Sequence, residues 1–597
     1  MAQELFERVD RQVENLLADV INGRIGLPDL QRPFVWADAK VRDLFDSMLK
    51  GFPVGYVMLW ASPAEYGNTK HIGVSEKQFK RPDDLVIDGQ QRLTSLLAAM
   101  TGVEVIDKNF VHRRIKIAFD PLTTEFFVWT KAYERGYQYV PDIAEVFKAY
   151  ERNESSKFRR ALVNRMNEGR RRNEQPELTD EEQDRIEDNI NSLLGLRNYT
   201  IPTLRILAKA DEEDVAEIFR RVNSGGQNLN ENNFIETLLA VYDNEIHDRI
   251  KKFCADSRVP AKGTSYNQII DVEPSHIIRV AIGYGFHRAR MRYGYKLLRG
   301  NDLETGVTSE ETRQQNLQIF REALDRVVNL TDWHAFINLF SEAGYLGKDM
   351  VRSNYVVVYS YVFYLMGKYE YKVSPFVLRN AIIRWIFMST IKSFYSSSPE
   401  STVERQLADL RNVHNAEEFI AFLDNSVKLE MNDSYFDVEL INDLTSSSAT
   451  SPVWFGYIAS INILGTPMLF SNTPQSKYWL VGSDGDKRSI DKHHIFPKHY
   501  LETIGIDSDR DRNQLANFTY LDYNTNIDIS DEAPALYVER FITKLGENSY
   551  ATHLANNAIP IDFENMYYFD FLDKRRHLMA GIIKKAYNKL WGVTSNI

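Results

Sequence analysis

The sequence predicts a multidomain α+β protein, and three observations carry that prediction. Its 597 residues exceed one domain, since domains typically run to roughly 100–200 residues. Apolar residues mix strand-like and helix-like periods over the first third, then follow the helical period almost alone to about position 445. Near the carboxyl end, two short apolar strands surround His493-His494-Ile495-Phe496-Pro497 and Asn517, and a helix follows Asn526. The boundaries that result are 1–235, a helical middle region 236–445, and 446–597.

Phe6, Val9, Val13, Leu16, Leu17 and Val20 recur at helical spacing, and Gly23 ends that first helix. Leu27-Pro28-Asp29-Leu30-Gln31-Arg32-Pro33-Phe34-Val35-Trp36 follows, two prolines bracketing a Gln-Arg pair in an extended loop. Asp38 or Ala39 opens a second helix through Leu44, Met48 and Leu49, and Val54–Trp60 reads as a buried strand. Leu85-Val86-Ile87 is an apolar strand that runs into Asp88-Gly89-Gln90-Gln91-Arg92, with a helix through Leu93, Leu96, Leu97 and Met100. Further strands are expected at Arg114–Phe119, Glu125–Trp129 and Ile201–Ile206. Val215, Ile218, Phe219 and Val222 form a helical stripe that Ser224-Gly225-Gly226 ends.

Helices are expected in the middle region at Phe234–Tyr242, Ser275–Tyr284, Gln314–Leu330, Asp332–Ser341, Tyr355–Met366, Val377–Phe387 and Val403–Arg411. Arg379, Arg384, Trp385 and Phe387 suit a packed core better than a nucleic-acid groove, and His276 and His287 read as structural. The Ser/Thr-rich stretch Leu444–Pro452 is the best linker. Ser489–Phe496 is a strand closed by Pro497, Asn513–Leu521 gives a loop and a second strand, and Asp528–Glu532 supplies the N-cap and acidic first turn of a helix through Leu536, Tyr537 and Phe541.

Composition narrows the class. Hydrophobic residues at 43% and charged residues at 26% describe a soluble globular protein. No apolar run reaches the ~18 residues of a membrane span, and Met1-Ala2-Gln3-Glu4 does not open a signal peptide, so a cytoplasmic protein without a membrane partner is expected. Cys254 is the single cysteine, which excludes an internal disulfide and a four-cysteine zinc site. A net charge of −11 argues against nonspecific coating of nucleic acid. The basic stretches Lys157–Arg172, Arg288–Arg299 and Lys574–Lys589 read as solvated helix faces, with DNA contact as the alternative.

Two motifs carry chemistry. The Gly89–Arg92 turn lies at a helix N-terminus, where backbone N–H groups and the helix dipole favour phosphate; Arg92 adds a fork-shaped cation and Asp88 a ligand for a metal or a ribose hydroxyl. A plain turn with Arg92 paired to a surface carboxylate fits equally well. The second motif places two imidazoles and two carboxamides at the spacing of a one-metal phosphodiesterase, which needs a base for water and a cation for the leaving oxygen. A His-His pair alone more often sits buried in a core strand.

Pro28-Asp29-Leu30-Gln31-Arg32-Pro33-Phe34-Val35-Trp36, Asp88-Gly89-Gln90-Gln91-Arg92 and Phe219…Asn223…Gly226 together resemble the N-terminal domain of the GmrSD-type modification-dependent (type IV) restriction enzymes, over roughly residues 10 to 240. That resemblance implies a ParB/sulfiredoxin-like fold that binds and hydrolyses a nucleoside triphosphate (GTP, ATP or another), with Asp88, Gly89, Gln90, Gln91 and Arg92 lining the site and Gln31, Arg32 and Asn223 nearby. No Walker-type Gly-rich loop is present. The C-terminal motif resembles the HNH (His-Me finger, ββα-metal) endonuclease domain of the same enzymes. By matched position His494 is the general base, His493 and Asn526 are metal ligands, and Asn517 holds the active loop. Asn524 rivals Asn526, Asn513 rivals Asn517, and Asp491 and His499 are candidate supporting residues. His493 stands where such nucleases often have Asp, which leaves the divalent metal open among Mg, Mn and other transition ions.

The expectation is a nucleotide-regulated, metal-dependent endonuclease that cuts double-stranded DNA bearing modified cytosines in phage defence, as a homodimer or by sequential nicks. The alternatives are a nucleotide-hydrolysing DNA-binding regulator or phosphorothioate-sensing nicking barrier with weak nuclease activity, and an enzyme acting on RNA.

Overall fold

The computed structural model describes residues 4–26, 34, 36–61, 82–106, 112–210, 214–215, 218, 221–222, 235, 244–258, 269–448, 450–479 and 490–593. Gln31, Arg32, Phe219, Asn223, Gly226 and the helix expected at Phe234–Tyr242 lie outside these, Ile235 apart. The chain is a mixed α and β protein that divides into two compact units, Met1–Lys251 and Lys252–Ile597.

The first unit is built on a five-stranded mixed sheet. Its strands are β1 (Phe6–Arg8), β2 (Ile25–Gly26), β3 (Val57–Ala61), β4 (Asp84–Asp88) and β5 (Thr203–Ile206), in the order β1-β5-β3-β4-β2. β5 runs parallel to β3 and β2 parallel to β4, whereas β3 and β4 are antiparallel. Side chains alternate across a strand. Val57, Leu59 and Val86 therefore enter one core with helices α1 (Val13–Ile21), α2 (Asp38–Leu49) and α3 (Gln90–Thr101). Met58, Trp60, Leu85 and Ile87 enter a second core on the other face, with Ile206, Val215 and Ile218. Burial on both faces is why β3 is apolar at every position rather than at alternate ones.

The amino-terminal helix is shorter than its periodicity predicts. Phe6 is exposed and pairs with Ile206 in an edge strand, so the helix begins only at Val13. A partner some two hundred residues away overrides a local helical pattern here. The basic stretch at 157–172 forms most of the helix Ser155–Arg172, whose arginines are largely neutralised: Arg159 by Glu187, Arg170 by Glu182 at 2.6 Å and Arg171 by Glu177 at 3.2 Å.

The second unit is predominantly helical. The expected middle helices appear at Pro274–Phe286, Glu310–Val327, Leu330–Glu342, Asn354–Leu365, α4 (Pro375–Ile391) and Pro399–Asp409. Trp385 and Phe387 are fully buried, and Arg384 is paired with Asp424 at 2.8 Å and stacked 4.2 Å from the Trp591 ring centre, so this is core and not groove. His276 closes a capping box with Glu273 and is held down at about 4, chiefly by burial and then by Arg279; His287 meets Glu370 at 3.1 Å. Arg288 is neutralised by Glu404 at 2.8 Å.

The Ser/Thr-rich stretch is not a free linker. Leu444 is fully buried, and the Ser446 carbonyl accepts from Leu515 N–H at 2.9 Å. Pro452 then opens α5 (Pro452–Leu464), which packs on the terminal helix Tyr568–Leu590. The span expected at 236–445 and the segment from 446 onward thus share one unit from Lys252. Apolar side chains that need cover have joined what a serine-rich composition seems to separate. Among the described residues no helix is long and apolar enough to cross a membrane.

Candidate active site

The C-terminal motif folds as a hairpin followed by a helix. β6 (Ile490–His494) pairs antiparallel with β7 (Phe518–Asp522), setting His493 opposite Thr519 and His494 opposite Phe518. Lys492, His494, Phe518 and Tyr520 therefore share one face, where Trp454 packs on the Phe518 and Tyr520 rings. His493 points to the other face.

The helix that follows starts earlier than the sequence predicts. Asp522 is its N-cap, accepting from Thr525 N–H at 3.0 Å, and α6 spans Tyr523–Ile529. Residues expected to open a helix, Asp528–Glu532, instead close this one, and the next helix begins at Pro534. An Asp followed three residues later by a donor is the stronger cap. This places Asn526 one turn inside α6 with its Oδ1 2.8 Å from His493 Nδ1, while Asn524 is exposed.

The rival asparagines 513 and 517 do different things. Asn517 is fully buried: its Oδ1 accepts from Phe496 N–H at 2.8 Å, and its Nδ2 donates to the carbonyls of Phe496 at 3.0 Å and Arg512 at 3.1 Å. It thereby pins both ends of the long connection between β6 and β7. Asn513 Oδ1 lies 3.0 Å from His494 Nε2. An acceptor there keeps the proton on Nε2 and leaves the lone pair on Nδ1. Burial holds the His494 imidazole below its ordinary value against the opposing Asn513 bond, and Lys498, Lys492 and Arg512 add to the lowering. A neutral ring with an open lone pair is the form a base requires. His499 is exposed beside Glu502 at 3.6 Å, and the Asp491 side chain lies outside the described residues.

Sequence reasoning missed the support beneath this site. Arg575, fully buried, donates Nη1 to the carbonyls of Ala516 at 2.7 Å and Phe518 at 2.8 Å, and Nε to Ala558 at 3.3 Å. Tyr537 donates to the Ile495 carbonyl at 2.7 Å and Tyr568 to that of Asp511 at 2.8 Å. Arg575 falls in the stretch read as a basic face, and a charge pattern alone cannot separate a solvated arginine from one that staples carbonyls.

His493 Nδ1 and Asn526 Oδ1, hydrogen-bonded at 2.8 Å, are two donors that a divalent ion could take, although among the described residues no group of three or more His, Cys, Asp or Glu side chains gathers to hold one. Two ligands side by side on an octahedral ion at ~2.1 Å stand about 3 Å from each other, so little movement is needed. Imidazole with a carboxamide suits Mn or a comparable transition ion as well as Mg.

In the first unit, Asp88 ends β4, Gly89 takes φ 91°, and α3 begins at Gln90 without a side-chain cap. Asp88 Oδ1 accepts from Gly89 N–H at 2.7 Å. Arg92 is half-buried: its Nη1 donates to the Tyr56 carbonyl, Gly55 and Gly89 lie close to the guanidinium, and Asp88 is its charged neighbour among the described residues. Gln90 and Gln91 thus stand in the first turn of α3, and Arg92 braces that turn through the Tyr56 carbonyl. A cavity of about 920 Å³ lies at the opposite end of the sheet, among Arg11, Asp19, Arg24, Asp84 and Arg205, whose charges largely pair with one another.

Gly89→Ala adds a Cβ 3.1 Å from Val57 Cγ2 and 3.2 Å from both Arg92 Nη1 and the Tyr56 carbonyl, at a left-handed φ. It should cost about 1–3 kcal/mol and speed amide exchange across Asp84–Thr101, read by mass spectrometry on the full chain. Unchanged exchange would mean that this turn tolerates the strain.

The N-terminal part of the chain is similar to a domain of restriction endonucleases. Residues 13–240 match the family model for the GmrSD restriction endonuclease, N-terminal domain. The chain is also similar to an uncharacterized protein of Methanocaldococcus jannaschii, 23% identical over 560 residues, covering 88% of this chain and 86% of the other. That similarity runs through both units.

Proposed function

We propose that the protein is a nucleotide-regulated, metal-dependent endonuclease that cuts DNA carrying modified cytosines (hydroxymethylated, glucosylated or methylated) in defence against phage. The observation that carries this is the 2.8 Å approach of His493 and Asn526 on a hairpin that also presents His494 with its Nε2 3.0 Å from Asn513 Oδ1. The family of residues 13–240 supplies the context of a restriction enzyme acting on DNA.

In this reading His494 Nδ1 takes a proton from water, whose oxygen attacks phosphorus in line as the P–O3′ bond breaks. His493 and Asn526 would hold a divalent ion, which when bound offsets charge on the departing oxygen. Asn517 and Arg575 keep the connecting loop from shifting the two histidines. In the first unit the Gly89–Gln91 turn would receive the phosphates of GTP, ATP or another triphosphate, with Gln31, Arg32 and Asn223 as further contacts. One site cuts one strand, so a double-strand break requires a homodimer or two successive nicks.

The test is a digest of phage genomic DNAs that differ in cytosine modification, with Mg or Mn and with each triphosphate in turn. Cleavage confined to modified genomes and dependent on the divalent ion is expected. Indifference to modification, or triphosphate turnover with no cleavage of any genome, would replace this reading with that of a DNA-binding regulator.

A further inference from the structure

Three cations gather around His494, and they are not equivalent. Arg512 is neutralised by Glu502 and by Asp509 at 3.0 Å. Lys492 and Lys498 are exposed, and neither meets a carboxylate among the described residues. Among the described residues, the charged group acting on Lys492 is Lys498, a like charge. By contrast, many cations elsewhere in this unit are paired: Arg384 with Asp424, Arg288 with Glu404 and Lys584 with Asp433.

Their placement is built rather than incidental. Lys492 and His494 stand two residues apart on β6, hence on one face, and both rest on the same ring: Lys492 Nζ lies 4.1 Å from the Phe518 ring centre and the His494 ring 4.6 Å from it. Lys498 opens the helix Lys498–Thr503 directly after Pro497. Two exposed ammonium groups on the side of His494, with no carboxylate partner among the described residues, favour an anion there. In a chain of net charge −11, a local pair of this kind also focuses an anionic ligand toward one point.

We infer that Lys492 and Lys498 grip a phosphate of the nucleic-acid strand beside the bond that His494 attacks. The inference rests on the reading of His494 as the base. The lysines are positioning residues: they hold the strand so that a phosphodiester faces Nδ1, and they take no proton.

Binding is measured by fluorescence anisotropy of a fluorescein-labelled duplex carrying 5-hydroxymethylcytosine, across a range of salt, with the full chain carrying His494→Ala to prevent cutting. Lys492→Gln and Lys498→Gln together should lower the slope of log K against log salt by about 0.9, because the pair neutralises one phosphate, and each change alone should lower it by a part of that. Lys492→Arg and Lys498→Arg should keep the parent slope. A double variant with the parent's slope overturns the grip. Cleavage assays with His494 present separate the two failures: if cutting depends on His494 while the slope ignores the lysines, the nuclease stands and only the grip is lost. If the parent shows no salt-dependent binding of the duplex, both are overturned.

Discussion

Replacing His494 with alanine is expected to slow DNA cleavage by about 10²–10⁴-fold, the range a positioned general base contributes, while the duplex still binds. Removal of the ring eliminates the lone pair that Asn513 exposes on Nδ1. It leaves the His493–Asn526 pair on the opposite face, so any ion held there should remain. Calorimetric titration with Mn separates the two histidines: His494→Ala should bind the ion as the parent does, whereas His493→Ala should not. A His494→Ala protein that cuts modified DNA at the parental rate would remove His494 from the chemistry.

The largest structural effect is expected at Arg575. Arg575→Met keeps much of the volume but strips donors from the carbonyls of Ala516, Phe518 and Ala558. Each buried carbonyl left without a partner costs about 1–3 kcal/mol. Burial holds the guanidinium below its ordinary value, and no carboxylate pairs with it among the described residues, so its own desolvation offsets part of that loss. With the relieved burial set against three carbonyls that lose their partner, Arg575→Met should be net destabilised, read as a lowered melting temperature. Amide exchange across Phe518–Asp522 should accelerate accordingly, and cleavage should fall even below the melting temperature. Equal protection in parent and variant would show that Asn517 alone holds the loop.

Much of this architecture is legible in the residues, and the illegible parts share a cause. Val57–Ala61, the helices from Pro274 to Asp409 and the paired strands around His493 follow from runs and periods that any short window contains. Phe6 does not, because its partner Ile206 lies at the far end of the unit. The Ser155–Arg172 helix presents six arginines to a reader of sequence, yet Glu182 and Glu187 of the helix Asp180–Gly195 neutralise part of that charge. At the site, His493, His494, Asn517 and Asn526 stand out by residue type and order, and the structure brings His493 to Asn526. Asn513 is visible only as a competitor for Asn517, because a carboxamide that fixes a loop and one that orients a ring look alike in one dimension. Arg92 is similar: its type suggests a ligand for phosphate, whereas its Nη1 serves the Tyr56 carbonyl.

Adjacent positions on β6 look away from each other, so His493 and His494 share a peptide bond while serving opposite sides of the hairpin. Inserting or deleting one residue within Ile490–His494 would send each ring to the side the other now occupies. A change in chain length between Phe496 and Arg512 leaves that alternation intact, and Asn517 bridges the two ends of the segment. Which side each ring serves therefore depends on β6 and not on the length of the segment after it.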